Sequence, residues 1–295
     1  MRIVVTSQCQ TSGLTVALRM LLPDAEVNPF TYAGLTAVEH ETLAQQLTEA
    51  EVWVVTAPTS FIETIQGIAD LTHLRILTMP ELYFDAFHPD LVYAWLPNAT
   101  TLDTPAGPYN SAIVLWAWRH QLDVSETIAL FTPAVFAGLA YTTRWNLSTA
   151  RMKSDFEAHG LDYRQFLLPL QRRGVFMHTV NHPRVTALAQ LGRLAASRLG
   201  ARPELLAEPI EDFMTDALMA ASAVWPVYPS IANALGMKGS YTWKLPDQRV
   251  IRLDEFVEGS YEMYGRVDAS EFACGQLDWP MYDPVLTEAA QGVTR

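Results

Sequence analysis

Residues 2–10 read RIVVTSQCQ, and this stretch decides the class of fold. Its β-branched run predicts a buried strand over Arg2–Thr6, followed at once by the polar residues Ser7–Gln10. Similar runs recur as VWVVT at 52–56 and LRILT at 74–78, with helical spacing between them. Because strands that alternate with helices build parallel sheets, the sequence predicts an α/β fold with a doubly wound N-terminal sheet.

The rest of the chain extends this pattern. A further strand is predicted at Glu26–Phe30 and another at Val175–Thr179, and the N-terminal helices are predicted at Gly13–Leu22, Val38–Ala50 and Phe61–Leu71. After Pro80 a long loop leads into mainly helical sequence. We therefore predict a single α/β domain, with residues 1–80 as a Rossmann-like or SGNH-like sheet core and residues 81–295 as a large helical portion packed on it.

One C-terminal helix has a distinct start signal. Apolar residues recur at helical spacing over Pro183–Leu199, and proline suits the first turn of a helix. Asn181 or His182 is the predicted N-terminal cap.

Composition excludes several classes of partner. Apolar residues make up 49% and charged residues 18%, so the chain can bury a core. The net charge is −12 and there are only three lysines, so we predict no nucleic-acid binding. No apolar stretch is long enough to span a membrane, no signal peptide is recognisable, and two cysteines make no disulfide framework. We therefore expect a cytoplasmic protein without membrane insertion. The sequence is compatible with a homo-oligomer.

Cys9 and Gln10 follow the first strand and precede a helix. The carboxyl ends of parallel strands are where such sheets bind ligands. A helix N-terminus is expected to lower the pKa of a thiol there and to hold an anion, with Ser7 beside it. Gln10 is a candidate donor to an oxyanion. The competing interpretation is that Cys9 is a small buried apolar residue.

Two histidine-containing segments are candidates for general bases. Residues 81–90 (ELYFDAFHPD) place His88 between two aspartates, although loop capping explains the same residues. Residues 178–183 (HTVNHP) contain His178, Asn181 and His182, of which at least one histidine is expected to be structural. Metal binding by His178 and His182 would need a cysteine pair or a third histidine at suitable spacing, and the sequence shows neither, so no metal is predicted.

A third cluster combines cations with aromatic rings. Residues 237–244 (MKGSYTWK) contain Lys238, Tyr241 and Lys244, a combination that suits a phosphate with a base or sugar, and Arg172 is a further candidate. The alternative is a turn and strand whose lysines contact only water. The glycine-rich dinucleotide motif, the P-loop and the nucleophile elbow are all absent from the sequence.

Five short motifs, in order along the chain, together resemble one family. They are Cys9–Gln10 after the first strand, PELYF at 80–84 with HPD at 88–90, YNS at 109–111, VNHP at 180–183 and GSYTWK at 239–244. Their order is similar to that in the WcbI-type polysaccharide biosynthesis proteins, over most of residues 1–245. That family usually has Gly-Asn-Cys-Gln at the first motif, so the serine and glutamine at 7 and 8 imply a different loop geometry.

The resemblance implies an activity. Members of that family are regarded as acetyltransferases that bind coenzyme A and modify capsular sugars. It implies that Cys9 and Gln10 lie beside the thiol end of coenzyme A, with acetyl-coenzyme A as donor substrate and a sugar as acceptor. Acyl transfer then proceeds either through a thioester on Cys9 or directly, with His88 or His182 as the base. Two other hypotheses are an esterase-like hydrolase with Cys9 as nucleophile and a non-catalytic carbohydrate- or nucleotide-binding protein.

Overall fold

Four parallel strands form the N-terminal sheet of the computed structural model, which describes residues 1–32, 36–268 and 271–293. The strands are β1 (Arg2–Ser7), β2 (Glu26–Thr31), β3 (Val52–Val55) and β4 (Arg75–Thr78), in the order β2-β1-β3-β4. Val4 of β1 pairs with Asn28 on one side and with Trp53 on the other. The parallel, doubly wound sheet expected from the β-branched runs is confirmed, and all its carboxyl ends lie at one edge.

Two helices cover one face of this sheet. They are α2 (Ala37–Thr48), which begins with a capping box at Thr36, and α3 (Thr59–Gln66). Their apolar residues pack with Val4, Trp53 and Val55 in one buried cluster. Trp53 is completely buried, and its indole N–H donates to the Thr6 hydroxyl at 2.8 Å, which avoids the cost of an unpaired polar group.

A second pair of helices, α1 (Thr11–Leu21) and α9 (Val185–Arg198), pack closely against each other. A Cβ atom at Gly13 would collide with the side chain of Leu188, and one at Gly192 would lie 2.5 Å from the Cβ of Ala17. Small residues therefore allow the backbones to approach. Because residue 13 meets 188 and residue 17 meets 192, the two helices run parallel, and their N-termini lie at the same end.

The described residues divide into two compact units. The first unit comprises residues 1–83, 151–177 and 182–218, and the second comprises residues 84–150, 178–181 and 219–295. The first unit therefore includes helices from the later sequence, such as α8 (Tyr163–Gln171), which packs on α9. The single domain proposed from the sequence stays a prediction.

The remaining elements are mainly helical. They are β5 (Leu91–Val92), β6 (Asn110–Ser111), α4 (Ala112–Arg119), α5 (Val124–Ala129), α6 (Pro133–Gly138), a 3-10 helix (Tyr141–Thr143), α7 (Arg144–Ala158), α10 (Pro203–Leu206), a 3-10 helix (Ile210–Asp212), α11 (Ala217–Ala221), α12 (Pro229–Ala234), β7 (Thr242–Lys244), β8 (Val250–Arg252), α13 (Leu253–Tyr264) and α14 (Tyr282–Val293). The predicted α/β class with a large helical portion is thus confirmed. None of the described helices is long and apolar enough to cross a membrane.

A buried carboxylate organises the second unit. Asp90 is completely buried and accepts hydrogen bonds from the Tyr228 hydroxyl at 2.8 Å, the Tyr141 hydroxyl at 3.0 Å and the Ile113 N–H at 3.1 Å. Burial raises the pKa of Asp90, and these donors, together with Ser111, offset only part of that effect. Asp90 therefore connects its own segment to three others of this unit.

Two local predictions are wrong. Residues 175–179 form no strand, and Met177 makes only an isolated bridge to Pro183. The N-cap of α9 is Arg184, in extended conformation, rather than Asn181 or His182. Asp216 explains the difference, because its carboxylate accepts from the Val185 N–H at 3.3 Å and so caps the helix from a distant segment.

Candidate active site at the carboxyl edge of the sheet

The strand order reverses at β1 and β3, and their carboxyl ends are joined by side chains. After β1 the chain turns to β2, whereas after β3 it turns the other way to β4, which makes this the switch point where doubly wound sheets bind ligands. The Thr56 hydroxyl, just past β3, donates to the Ser7 hydroxyl at 2.5 Å. Ser7 is completely buried, so its hydroxyl braces the two strand ends. Its role in ligand binding stays a prediction.

Gln10 joins this edge to the segment that follows β4. Its side-chain N–H donates to the Leu82 carbonyl at 3.1 Å, and the Leu82 N–H donates to the Gln10 side-chain oxygen at 3.3 Å. Gln10 is completely buried and Leu82 is almost completely buried. The amide therefore holds residues 81–83 beside the loop that carries Cys9. Its predicted role as an oxyanion donor stays a prediction.

Cys9 is a half-buried thiol whose acidity differs from the sequence-based expectation. Burial raises its pKa to about 11, and the negative charge of Glu81 acts in the same direction. The expectation that a helix N-terminus lowers this pKa is therefore wrong. The physical reason is that desolvation and a nearby carboxylate both disfavour a thiolate, and they outweigh the backbone hydrogen bond that favours it.

Glu81 supplies a carboxylate to the same edge. Although the residue is exposed, partial burial of its carboxyl group raises its pKa, while the charge of Arg151 lowers it. The Arg151 guanidinium carbon lies 4.2 Å from the centre of the Tyr83 ring. Burial, Glu81 and Cys9 together raise the pKa of Tyr32 to about 12. A thiol, a carboxylate, a phenol and a guanidinium thus interact in the first unit.

The start of α9 lies at the same end of the α1–α9 pair as the start of α1. His182 and Arg184 precede α9, just as Cys9 precedes α1, and His182 is half-buried. Burial lowers the pKa of Arg184, and the charge of Asp216 opposes this shift. The first unit therefore brings Cys9, Gln10 and His182 to one end, together with two helix N-termini that favour anions.

Other predicted site residues belong to the second unit. His88 is 1% exposed, and its Nδ1 lies 3.3 Å from the Pro226 carbonyl oxygen, which can only accept, so Nδ1 carries the proton. The side-chain oxygen of Asn181 accepts from the Tyr109 hydroxyl at 3.2 Å and from the Thr179 hydroxyl at 3.1 Å. Both residues therefore have structural contacts within their unit, and their catalytic and binding roles stay predictions.

The residues of the predicted phosphate-binding cluster differ in their contacts: Lys244 is engaged by backbone carbonyl oxygens, whereas Lys238 is exposed. The Lys244 ammonium donates to three carbonyl oxygens, those of Met219 at 2.5 Å, Ser222 at 2.9 Å and Ala220 at 3.3 Å. These contacts use all three of its hydrogens and stabilise the end of α11. Lys238 is exposed, and the Tyr241 hydroxyl donates to the Phe131 carbonyl at 3.4 Å.

The predicted Arg172 lies in the first unit, exposed at the C-terminal end of α8. Within the ranges that the structure describes, no group of three or more His, Cys, Asp or Glu residues is placed to hold a metal ion.

Sequence reasoning missed three residues of this site: Tyr32, Glu81 and Arg151. A signal for Glu81 was present, because it follows β4 closely, as Cys9 follows β1. Tyr32 and Arg151 had no such signal, since their place depends on how distant segments fold against the sheet.

The fold and the candidate site define an α/β protein in which the carboxyl edge of the sheet carries a thiol and a carboxylate. A family model described as the polysaccharide biosynthesis enzyme WcbI matches residues 2–204. The chain belongs to this WcbI family of polysaccharide biosynthesis enzymes, which confirms the resemblance seen in the short motifs.

Two further comparisons accompany this assignment. A solved structure of WcbI, described as a novel polysaccharide biosynthesis enzyme, is similar with a TM-score of 0.72 at 14% identity, over 100% of this chain and 99% of that chain. It is described as native protein without a disulfide bond between coenzyme A and one of its cysteines. At this identity the similarity shows the fold alone. Among curated proteins the comparison found no match.

Proposed function

We propose that the protein transfers an acyl group, with acetyl as the expected group, from acyl-coenzyme A to a sugar hydroxyl in capsule or other polysaccharide biosynthesis. The observation that carries this proposal is the Cys9 thiol beside the Glu81 carboxylate at the switch point of the sheet. The description of the similar WcbI structure names coenzyme A together with a cysteine. By analogy, Cys9 is the proposed neighbour of the sulfur of coenzyme A. Because that donor is supplied in the cytoplasm, the proposed reaction is cytoplasmic.

Positive charge in the first unit supports binding of the phosphates of coenzyme A. The N-termini of α1 and α9 lie at one end of the helix pair, and Arg184 is located there as the cap of α9. Such ends attract phosphate through backbone N–H groups and the helix dipole. Arg172, Asn181, Lys238 and Tyr241 stay proposed ligands. Lys244 is left out, because its ammonium group is engaged by carbonyl oxygens.

The acidity of Cys9 favours direct transfer over a thioester intermediate. With a pKa of about 11, the thiol is ionised in only about one molecule in ten thousand at pH 7. Because the thiolate is the nucleophilic form, covalent catalysis by Cys9 requires activation by another group. In direct transfer the thiol only lines the space beside the thioester. Cys9→Ala is therefore expected to retain much of the activity.

Native mass spectrometry under reducing conditions tests the proposal. The purified protein is compared with and without coenzyme A and acetyl-coenzyme A, and Cys9→Ala is measured beside Cys274→Ala, which changes a buried thiol in the second unit. We expect a stoichiometric, non-covalent adduct with both ligands in all three proteins.

Other outcomes separate the alternatives. A covalent acetyl mass shift that disappears only in Cys9→Ala favours the thioester route. Absence of any adduct at high ligand concentration contradicts the transferase proposal. Turnover of aryl esters without coenzyme A then indicates a hydrolase, and sugar binding without turnover indicates a binding protein.

A further inference from the structure

The segment after β4 presents Glu81 to the Cys9 loop through a fixed connection. Leu82 makes two hydrogen bonds with the side chain of Gln10, and Gln10 is the residue next to Cys9. Glu81 and Tyr83 therefore flank a residue that is held in place from the end of β1. Groups supported in this way keep the geometry that catalysis requires.

Three charged or titratable groups interact with the Glu81 carboxylate. Its negative charge acts on the Cys9 thiol and on the Tyr32 hydroxyl, and the positive charge of Arg151 acts on it. Arg151 itself is positioned by the Tyr83 ring, 4.2 Å away. The carboxylate thus lies close to the proposed position of the thioester, and it remains accessible to a substrate because Glu81 is exposed.

Partial burial raises the pKa of Glu81 above the usual value of a glutamate, and Arg151 limits this shift. A carboxylate whose pKa is raised is a stronger base than an ordinary glutamate and is better suited to accept a proton.

We propose that Glu81 is the general base that activates the acceptor hydroxyl. This inference rests on the proposed function. Glu81 takes the hydroxyl proton as the acceptor oxygen bonds to the thioester carbonyl carbon. The carbon–sulfur bond then breaks, and the leaving sulfur of coenzyme A takes the proton back from Glu81. The products are the ester and free coenzyme A, and the carboxylate is regenerated.

The two predicted histidines are weaker candidates for this role. His88 is 1% exposed and holds the Pro226 carbonyl, so its ring has little access to a sugar. His182 is half-buried at the start of α9 and remains the competitor that an experiment must separate from Glu81.

The test uses the full-length protein, with water as acceptor, and measures release of coenzyme A from acetyl-coenzyme A by chromatography between pH 5 and 9. Glu81→Gln keeps the shape and removes the base, Glu63→Gln removes an exposed carboxylate on α3, and His182→Asn tests the competitor. We expect Glu81→Gln to bind acetyl-coenzyme A as the wild type does, but to release coenzyme A about a hundredfold more slowly. The loss of rate toward low pH should disappear in this variant alone.

A second measurement needs no turnover. Alkylation of Cys9 by iodoacetamide, followed by peptide mass spectrometry, reports the fraction of thiolate. We expect alkylation to be roughly threefold to tenfold faster in Glu81→Gln than in Glu63→Gln, because the nearby negative charge is gone.

The results decide between the ideas. If the wild type releases coenzyme A and Glu81→Gln does so at a similar rate, or if His182→Asn alone removes the pH dependence, Glu81 is not the base. An unchanged alkylation rate also overturns the inference. If the wild type binds no acetyl-coenzyme A, the proposed function fails first, and the base role fails with it.

Discussion

Replacing Gln10 by alanine separates a structural role from a catalytic one. The side chain pairs with both the N–H and the C=O of Leu82, at 3.3 and 3.1 Å, in a region closed to water. Gln10→Ala leaves two buried backbone groups without these partners, and each costs about 1–3 kcal/mol, or about 2–6 kcal/mol together. We expect urea unfolding to show a loss of this size, whereas Gln45→Ala, on the exposed face of α2, should change the free energy by less than about 0.5 kcal/mol.

Gln10→Glu sharpens this test. The protonated acid can still donate to the Leu82 carbonyl, whereas the buried carboxylate cannot, so burial should raise the pKa of this glutamate in the folded state. Because the folded-state pKa of this glutamate is raised, its protonated form stabilises the fold fully below the unfolded pKa of about 4.3. This stabilisation is lost as pH rises through the folded-state pKa. The variant should therefore approach wild-type stability only in acid. If Gln10→Ala unfolds like the wild type but loses turnover, Gln10 is an oxyanion donor and the structural argument is wrong.

Two further predictions concern buried carboxylates. Asp90→Ala should lower the free energy of unfolding by about 2–6 kcal/mol in urea titrations, because the hydroxyls of Tyr141 and Tyr228 lose their acceptor; the exposed Asp103→Ala is the control, and equal stability of the two variants would refute the role of the network. Glu211→Gln should cost about 1.5–3 kcal/mol at pH 7, since Arg193 donates to this carboxylate at 2.6 Å. Burial alone would raise the pKa of Glu211. The hydrogen bond from Arg193, a backbone hydrogen bond and the charges of Arg193 and Arg173 outweigh burial and lower this pKa. The ionised Glu211 carboxylate therefore stabilises the fold above the unfolded pKa of about 4.3, and this stabilisation should fade as pH falls through the folded pKa. If the wild type and Glu211→Gln still differ near pH 3 by as much as at pH 7, the role of the carboxylate charge is wrong.

Much of the fold was readable from local pattern. The runs at 2–6, 52–56 and 74–78 predicted β1, β3 and β4 to within one residue, because apolar and β-branched residues favour strands. The two central strands, β1 and β3, are almost entirely buried, as in a sheet covered on both faces. The order of strands and helices then required a parallel sheet with its carboxyl ends at one edge. The helix at Phe61–Leu71 was predicted too long, since α3 ends at Gln66, before Gly67.

The failures share one cause. Asp216 caps α9 from 31 positions away, so the predicted local cap was not needed. Val175–Thr179 has the composition of a strand, but the residues around it form only an isolated bridge at Met177. Local sequence indicates which secondary structure or cap a segment favours. Contacts with distant segments decide whether the folded chain adopts it.

The candidate site shows the same division. The sequence by itself determined that Cys9 and Gln10 stand at the end of the first strand, because strand ends are set by local pattern. Only the tertiary structure decided that Gln10 holds Leu82, which is 72 positions away, and that Glu81 and burial make the thiol weakly acidic. Hydrogen-bond partners, desolvation and charge are properties of the space around a group, and residues from distant parts of the chain fill that space only when it folds.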